Sequence, residues 1–328
     1  MPGSQPKSAI ANRSDASADL RSSTGATAEG VPLAFNRAPD PRLSAWIGRS
    51  MVSVASADQA ITLTGLLCND ASYLRTAVGV DWVAGTADGD LPLRDVSFLC
   101  GQHSHVMPLQ YTGGIKVAGL MLRPGALRAL FGLDERAMVD RIVPIEQAGV
   151  EDRAVTGLYH SDRSPEDWLI ALEQWMADHI AAHDAPEPDP LSQALELQSF
   201  ADPNIELGYF ADRVGVSQRT VERVARRDFG LTPKQIMRRA RILDLAARLC
   251  GVADEEEEEI MLRFFDQAHQ IREFQTFFGV TPREFQRNRS GLLTLSLEIR
   301  QARRLELLNR IEPDAVRPWM RRTSLSGQ

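Results

Sequence analysis

Apolar residues follow two rhythms along the chain. Between 35 and 145 they cluster in short β-prone runs, at 60–67, 96–99 and 115–122, separated by Gly, Asp and Pro. Runs of this kind read as strands between turns. From 121 to 132 a strand leads through Pro124-Gly125 into a short helix that Gly132 ends, since glycine readily takes the left-handed conformation that closes a helix. Beyond 165 the period becomes helical. Trp168, Leu169, Leu172, Trp175, Met176 and Ile180 fall on one face of a helix over 165–182. The segment 207–214 is a second helix with Phe210 and Ala211 inward. Gly215 supplies a turn, and a third helix follows with Val221, Val224 and Ala225 inward. The class expected is α+β: a mixed α+β N-terminal domain, a helical connector, and an all-α C-terminal domain.

Pro186, Pro188 and Pro190 mark the sharpest boundary, because closely spaced prolines favour an extended linker. The divisions expected are a disordered lead-in over 1–32, rich in Ser, Ala and Gly; an α+β sensor or dimerisation domain over 33–145; a helical connector and Pro-rich linker over 146–190; a helical domain over 191–290; and a basic tail over 291–328. The tail holds a basic helix near 298–305 that either touches phosphates or packs on the domain. No apolar run is long enough for a bilayer and the N-terminus lacks a signal-peptide core. Cys68, Cys100 and Cys250 have no CxxC partner and read as buried, reduced residues. A cytoplasmic location is expected.

A repeat sharpens the helical region. Phe229-Gly230-Leu231-Thr232-Pro233-Lys234-Gln235 recurs 49 residues later as Phe278-Gly279-Val280-Thr281-Pro282-Arg283-Glu284. In each copy glycine closes one helix, threonine caps the next, and proline takes its first position, where no amide bond is lost. Gln235 and Glu284 complete capping boxes. Upstream, Ser217 aligns with Asp266 and Arg223 with Arg272. Helix, Gly turn and capped helix with an outward basic stripe (Arg219, Arg223, Arg226) is the helix-turn-helix pattern. The net charge of −7 argues against a nucleic-acid binder only until it is localised. Residues 219–248 hold nine basic and three acidic side chains, while 254–259 is a run of six acidic ones. Affinity for DNA depends on such local cationic surface.

These motifs, with Arg241 and Ala246 after them and Phe265-Asp266-Gln267-Ala268-His269 and Arg272-Glu273-Phe274 in the second copy, resemble the double helix-turn-helix domain of AraC/XylS-family transcriptional regulators over about 191–289. The resemblance implies double-stranded DNA as partner, with Gln218, Arg219, Glu222 and Arg223 facing the groove in the first unit and Gln267, Ala268, His269 and Arg272 in the second. Arg226, Arg238, Arg239 and Arg241 are expected on phosphates. The second unit departs from the family: Glu258 and Glu259 stand where an apolar residue and alanine are usual, Arg263 at the turn glycine, and Gln270 at a buried apolar position. Its scaffold helix is therefore expected to shift, or the unit to be loosely folded.

The N-terminal region resembles an uncharacterised sensor-like domain found before AraC-type domains, over about 33–145. Gln102, His103 and His105 are the candidate effector contacts. His103-x-His105 has no third ligand at a convincing spacing, so no metal is expected. No cofactor fingerprint or catalytic motif is present, and an enzyme is not expected. The partner at this domain is a small-molecule effector or a protein. Homodimerisation and contact with RNA polymerase complete the expected partners. Two other readings stay open: a small-molecule-binding or enzymatic N-terminal domain with secondary DNA binding, and a regulator controlled by a protein partner.

Overall fold

The structure is a computed structural model, and it describes residues 12–15, 20–26, 33–57, 61–253 and 267–311. The N-terminal half is two facing sheets. The strands in chain order are β1 (Asn12–Ser14), β2 (Arg21–Ser22), β3 (Phe35–Arg37), β4 (Ile47–Ser56), β5 (Thr62–Leu67), β6 (Ser72–Ala77), β7 (Asp81–Thr86), β8 (Gly89–Leu93), β9 (Val96–Cys100), β10 (Met107–Thr112), β11 (Ile115–Leu122) and β12 (Ile142–Pro144). The smaller sheet runs β1-β5-β10-β7-β8. The larger runs β12-β9-β6-β11-β4-β2, with β3 also on β4. All pairs are antiparallel except β1 with β5.

Side chains alternate across a strand. Tyr73, Phe98, Met51 and Val117 of the larger sheet therefore meet Leu63, Trp82, Leu109 and Tyr111 of the smaller one in a closed inter-sheet core. The alternate set, Leu74, Leu99, Leu120 and Val52, is covered from outside by helical residues Leu169, Leu172 and Met176. With both faces covered, every residue of β6 is buried. That is why this strand showed no clean alternation in sequence.

Helices follow: α1 (Ala126–Phe131), α2 (Arg153–Thr156), α3 (Pro165–His183), α4 (Pro190–Ala201), α5 (Leu207–Arg213), α6 (Gln218–Asp228), α7 (Pro233–Leu249), α8 (Gln267–Phe278), α9 (Pro282–Arg287) and α10 (Gly291–Ile311). Gly132 ends α1 at φ +67°. A capping box between Ser164 and Asp167 starts α3. The proline-rich linker is pinned: Trp46 Nε1 donates to Pro186 O at 2.9 Å, and Asp189 caps α4 with Pro190 in its first position.

Two helical cores lie beyond the linker. Phe210, Ala211, Val221, Ala225, Phe229 and Ile236 form the first. Ile242, Ala246, Phe274, Phe277, Phe278 and Phe285 form the second, where the four phenylalanine rings stack and meet edge to face.

Two sequence expectations need correction. Part of the lead-in expected to be disordered is ordered: β1 pairs with β5, and Asp15 beside it is buried, accepting from Leu292 N at 3.0 Å and Ser290 Oγ at 3.1 Å. The tail, read as a basic helix near 298–305 that touches phosphates or packs on the domain, is longer than expected, a 21-residue helix over 291–311, and it packs. Its Leu293 and Leu297 enter the second helical core, and its Leu292, Leu295 and Ile299 enter the inter-sheet core. A helix apolar on several faces is buried, so α10 joins the halves of the molecule and does not extend a cationic surface. The segment holding Glu258, Glu259 and Arg263 lies outside the described residues.

Candidate nucleic-acid interface

The first helix-turn-helix begins at α5, turns at Gly215 with φ +72°, and resumes at α6, where Ser217 Oγ accepts from Thr220 N at 3.2 Å. Val221, Val224 and Ala225 are buried. Gln218, Arg219, Glu222, Arg223 and Arg226 are exposed. Gly208 of α5 lets the Gln218 amide lie close, since a Cβ at that glycine would sit 2.8 Å from Gln218 Nε2.

The inner end of α6 is locked. Asp228 is buried and accepts from Ser192 Oγ and Arg227, and from Arg128 of α1 at 3.2 Å. Burial alone would raise its pKa, but the Arg227 and Ser192 hydrogen bonds hold it below the usual carboxylate value. Gly125 N donates to Asp228 O at 3.0 Å. Gly230, at φ +69°, brings its backbone against Glu135 O, which would lie 2.5 Å from an added Cβ. The first unit is thus seated on the N-terminal domain by the end opposite its exposed face.

In the second unit, Ala268 and Arg272 of α8 are exposed and His269 is half-buried. The side chain of Gln267 lies outside the described residues. Gln270 is partly buried. Glu273 gathers cations: Arg241 NH2 lies 3.3 Å away, His269 Nε2 3.5 Å and Arg238 Nε 4.0 Å.

The geometry does not favour three of the four arginines expected on phosphates. Arg226 is exposed, but Arg239 is only 5% exposed. Its guanidinium donates to Gln102 Oε1 at 2.7 Å, Asp70 O at 2.8 Å and His103 O at 2.9 Å. Arg241 also donates to Pro203 O at 3.0 Å, and Arg238 and Arg241 lean on Glu273. The physical reason is that α7 is enclosed by both helical cores, α10 and the N-terminal domain, leaving almost no face for a ligand.

The effector expectation changes in the same way. Gln102 and His103 are fully buried in the Arg239 latch. His103 Nε2 lies 3.3 Å from Asn69 Nδ2, and burial pushes the imidazole down to about 3. His105 is exposed, 3.3 Å from Asp140. It borders an interdomain cleft of about 300 Å³ with Gln235, Arg238 and Thr276. Among the described residues no group of three metal-ligating side chains is assembled, and no helix is long and apolar enough to cross a membrane.

Sequence reasoning missed the α10 arginines. Arg300 pairs with Asp244 at 2.6 Å and with Asp70 at 2.8 Å, and Arg304 reaches Asp244 at 3.4 Å. Arg303 donates to Gly48 O at 3.1 Å. The signal that could have exposed them is the nearly unbroken apolar run Leu292-Leu293-Thr294-Leu295-Ser296-Leu297 just before them.

Two domain families match the chain. Residues 210–288 match the family described as Helix-turn-helix domain, and residues 36–144 match Domain of unknown function (DUF6597). A comparison with curated proteins gives no match. Among solved structures, wild-type ToxT from Vibrio cholerae bound to an unsaturated fatty acid is 10% identical over 74% of this chain and 97% of its own, with a TM-score of 0.44. Apo ToxT from the same organism is 11% identical over 77% and 99%, also at 0.44. The AraC-like transcriptional activator CuxR is 11% identical over 64% and 86%, at 0.30. The domain behind the proline linker is an AraC-type helix-turn-helix domain. It follows an N-terminal domain of unknown function over 36–144.

Proposed function

We propose that the protein binds double-stranded DNA through the exposed face of α6, with α8 as a second contact, and that the N-terminal domain over 33–145 controls this binding in response to a signal. The observation that carries the reading is the exposed set Gln218, Arg219, Glu222, Arg223 and Arg226 on one side of a capped helix whose other side is core. Arg219 or Arg223 is suited to a bidentate contact with guanine, and Gln218 to adenine. Arg226 adds a phosphate contact.

A small-molecule signal is favoured over a docked protein. The large apolar side chains that are exposed, Ile170, Tyr209 and Val280, lie on three different helices or loops and make no patch among the described residues. The space between the two sheets is enclosed and largely apolar. Genome-wide mapping of bound sites, followed by mobility-shift titration of a recovered site, tests the proposal. A recurring motif bound by the wild type and lost in Arg223→Ala is the expected result. Absence of sequence-selective binding at low salt refutes it.

A further inference from the structure

Five exposed side chains make the outward face of the first unit, and one of them is held differently from the rest. Arg219, Glu222, Arg223 and Arg226 make no hydrogen bond or ion pair among the described residues. Gln218 lies against the scaffold helix α5. A Cβ built on Gly208 would stand 2.8 Å from Gln218 Nε2 and 3.8 Å from its Cδ. Gly208 is itself partly buried although it carries no side chain.

The backbone explains the encounter. Helical side chains point back toward the helix N-terminus. Gln218 is the first residue of α6, so no earlier turn of its own helix lies beneath it. The turn at Gly215 folds α6 onto α5. Gln218 therefore reaches back over the first turn of α5, where Gly208 is the second residue. Glycine is the weakest helix former after proline, and it is usually kept for a left-handed turn or a close approach. Gly208 has no positive φ. What its missing side chain supplies is space for the Gln218 amide.

That space matters for reading a base. Adenine offers an acceptor and a donor side by side in the major groove, and a glutamine amide meets both only in one orientation. A freely exposed glutamine loses much rotamer freedom on binding. An amide already laid on bare backbone has less to lose, which is preorganisation.

We propose that Gly208 is a positioning residue for base recognition: its bare backbone holds the Gln218 amide ready for an adenine, and a side chain at 208 displaces it. This rests on the reading of α6 as the helix that enters the groove. Ordinary contact begins at 3.4 Å, so an alanine methyl pushes the amide away by about 0.6 Å. Recognition geometry tolerates about 0.5 Å. Alanine is also the better helix former, so stability and specificity should part company at this position.

The test uses the full-length protein and selection of bound sequences from a random duplex pool. Wild type, Gly208→Ala, Gln218→Ala and the double variant are compared, and preference at each base pair of the recovered site is measured by competition at fixed salt. Gln218→Ala should flatten one adenine position by about tenfold. Gly208→Ala should flatten the same position by about three- to tenfold and leave the others within about twofold. It should unfold at the same temperature or higher. The double variant should match Gln218→Ala, because a residue acting through Gln218 then has nothing left to move. An unchanged adenine preference in Gly208→Ala, a loss spread evenly over all positions, or a lower unfolding temperature each overturns the proposal. So does a double variant worse than Gln218→Ala, or a Gln218→Ala protein that keeps every preference. A wild type that selects no sequence refutes the DNA-binding reading and takes this inference with it. A wild type and a Gly208→Ala protein that select the same site equally well refute this inference alone.

Discussion

Glu135 sits at the seam between the domains with its carboxyl buried and accepting from Ser72 Oγ at 2.8 Å. Burial pushes its pKa up to about 8, and the nearby Asp228 charge adds to the rise. The unfolded chain gives up this proton near the ordinary value, while the folded protein keeps it until about pH 8. Between those limits the native state binds more protons, so its stability falls as pH rises and levels off above 8. Glu135→Gln keeps the shape and the Ser72 bond but removes the ionisation. Urea unfolding at several pH values should show the wild type losing up to about 1.4 kcal/mol per pH unit relative to the variant across this window. A constant difference would contradict a buried protonated carboxyl. Arg223 is the opposite kind of residue, exposed and without a core role. Arg223→Ala should leave unfolding unchanged and weaken specific DNA binding by about 1–3 kcal/mol, measured by titration at fixed salt. Loss of stability with unchanged binding would remove it from the interface.

At the scale of elements, legibility follows locality. Ser217, Thr232 and Thr281 were readable as caps because a cap acts within four residues, and each accepts from the backbone N–H three residues on. The boxes closed by Gln235 and Glu284 are both formed. Replacing Thr232 or Thr281 by alanine should each cost about 1 kcal/mol in urea unfolding, and equality of the two losses would show that the repeat is energetically as well as geometrically a repeat. Non-local features were not readable. The β1–β5 pairing joins segments about fifty residues apart, and a Ser- and Ala-rich stretch carries no signal for a partner that distant. Helix α10 was recognised as helical, but whether it touches phosphates or packs on the domain stayed open, because its partners, Asp70 and Asp244, lie far back along the chain. The same blindness affected α7. Helical spacing shows which arginines share a face, not what covers that face, so Arg239 and Arg226 looked alike in sequence and are buried and exposed in the fold.

At the scale of the whole molecule, many contacts tie the C-terminal half to the N-terminal half, and three of them lie along one seam behind α6 and α8. Gly125 N meets Asp228 O behind the first unit, and Val106 N meets Phe277 O at 3.3 Å behind the second. Between them Arg239 satisfies three acceptors of the N-terminal domain. On the proposed function, a signal at the N-terminal domain would reach α6 and α8 through this seam, whose central contact is Arg239. Arg239→Met preserves the aliphatic stem but strands buried acceptors, which should cost about 3 kcal/mol and loosen the seam. Because the guanidinium faces protein, the slope of log affinity against log salt for DNA should not change. Arg226→Ala should behave in reverse: thermal unfolding unchanged, and the salt slope reduced by about 1 as one phosphate contact is lost. The pair separates architecture from recognition in a protein whose overall charge is negative. A reduced salt slope in Arg239→Met would mean that α7 turns this arginine outward to meet DNA, and that the seam opens when the protein binds.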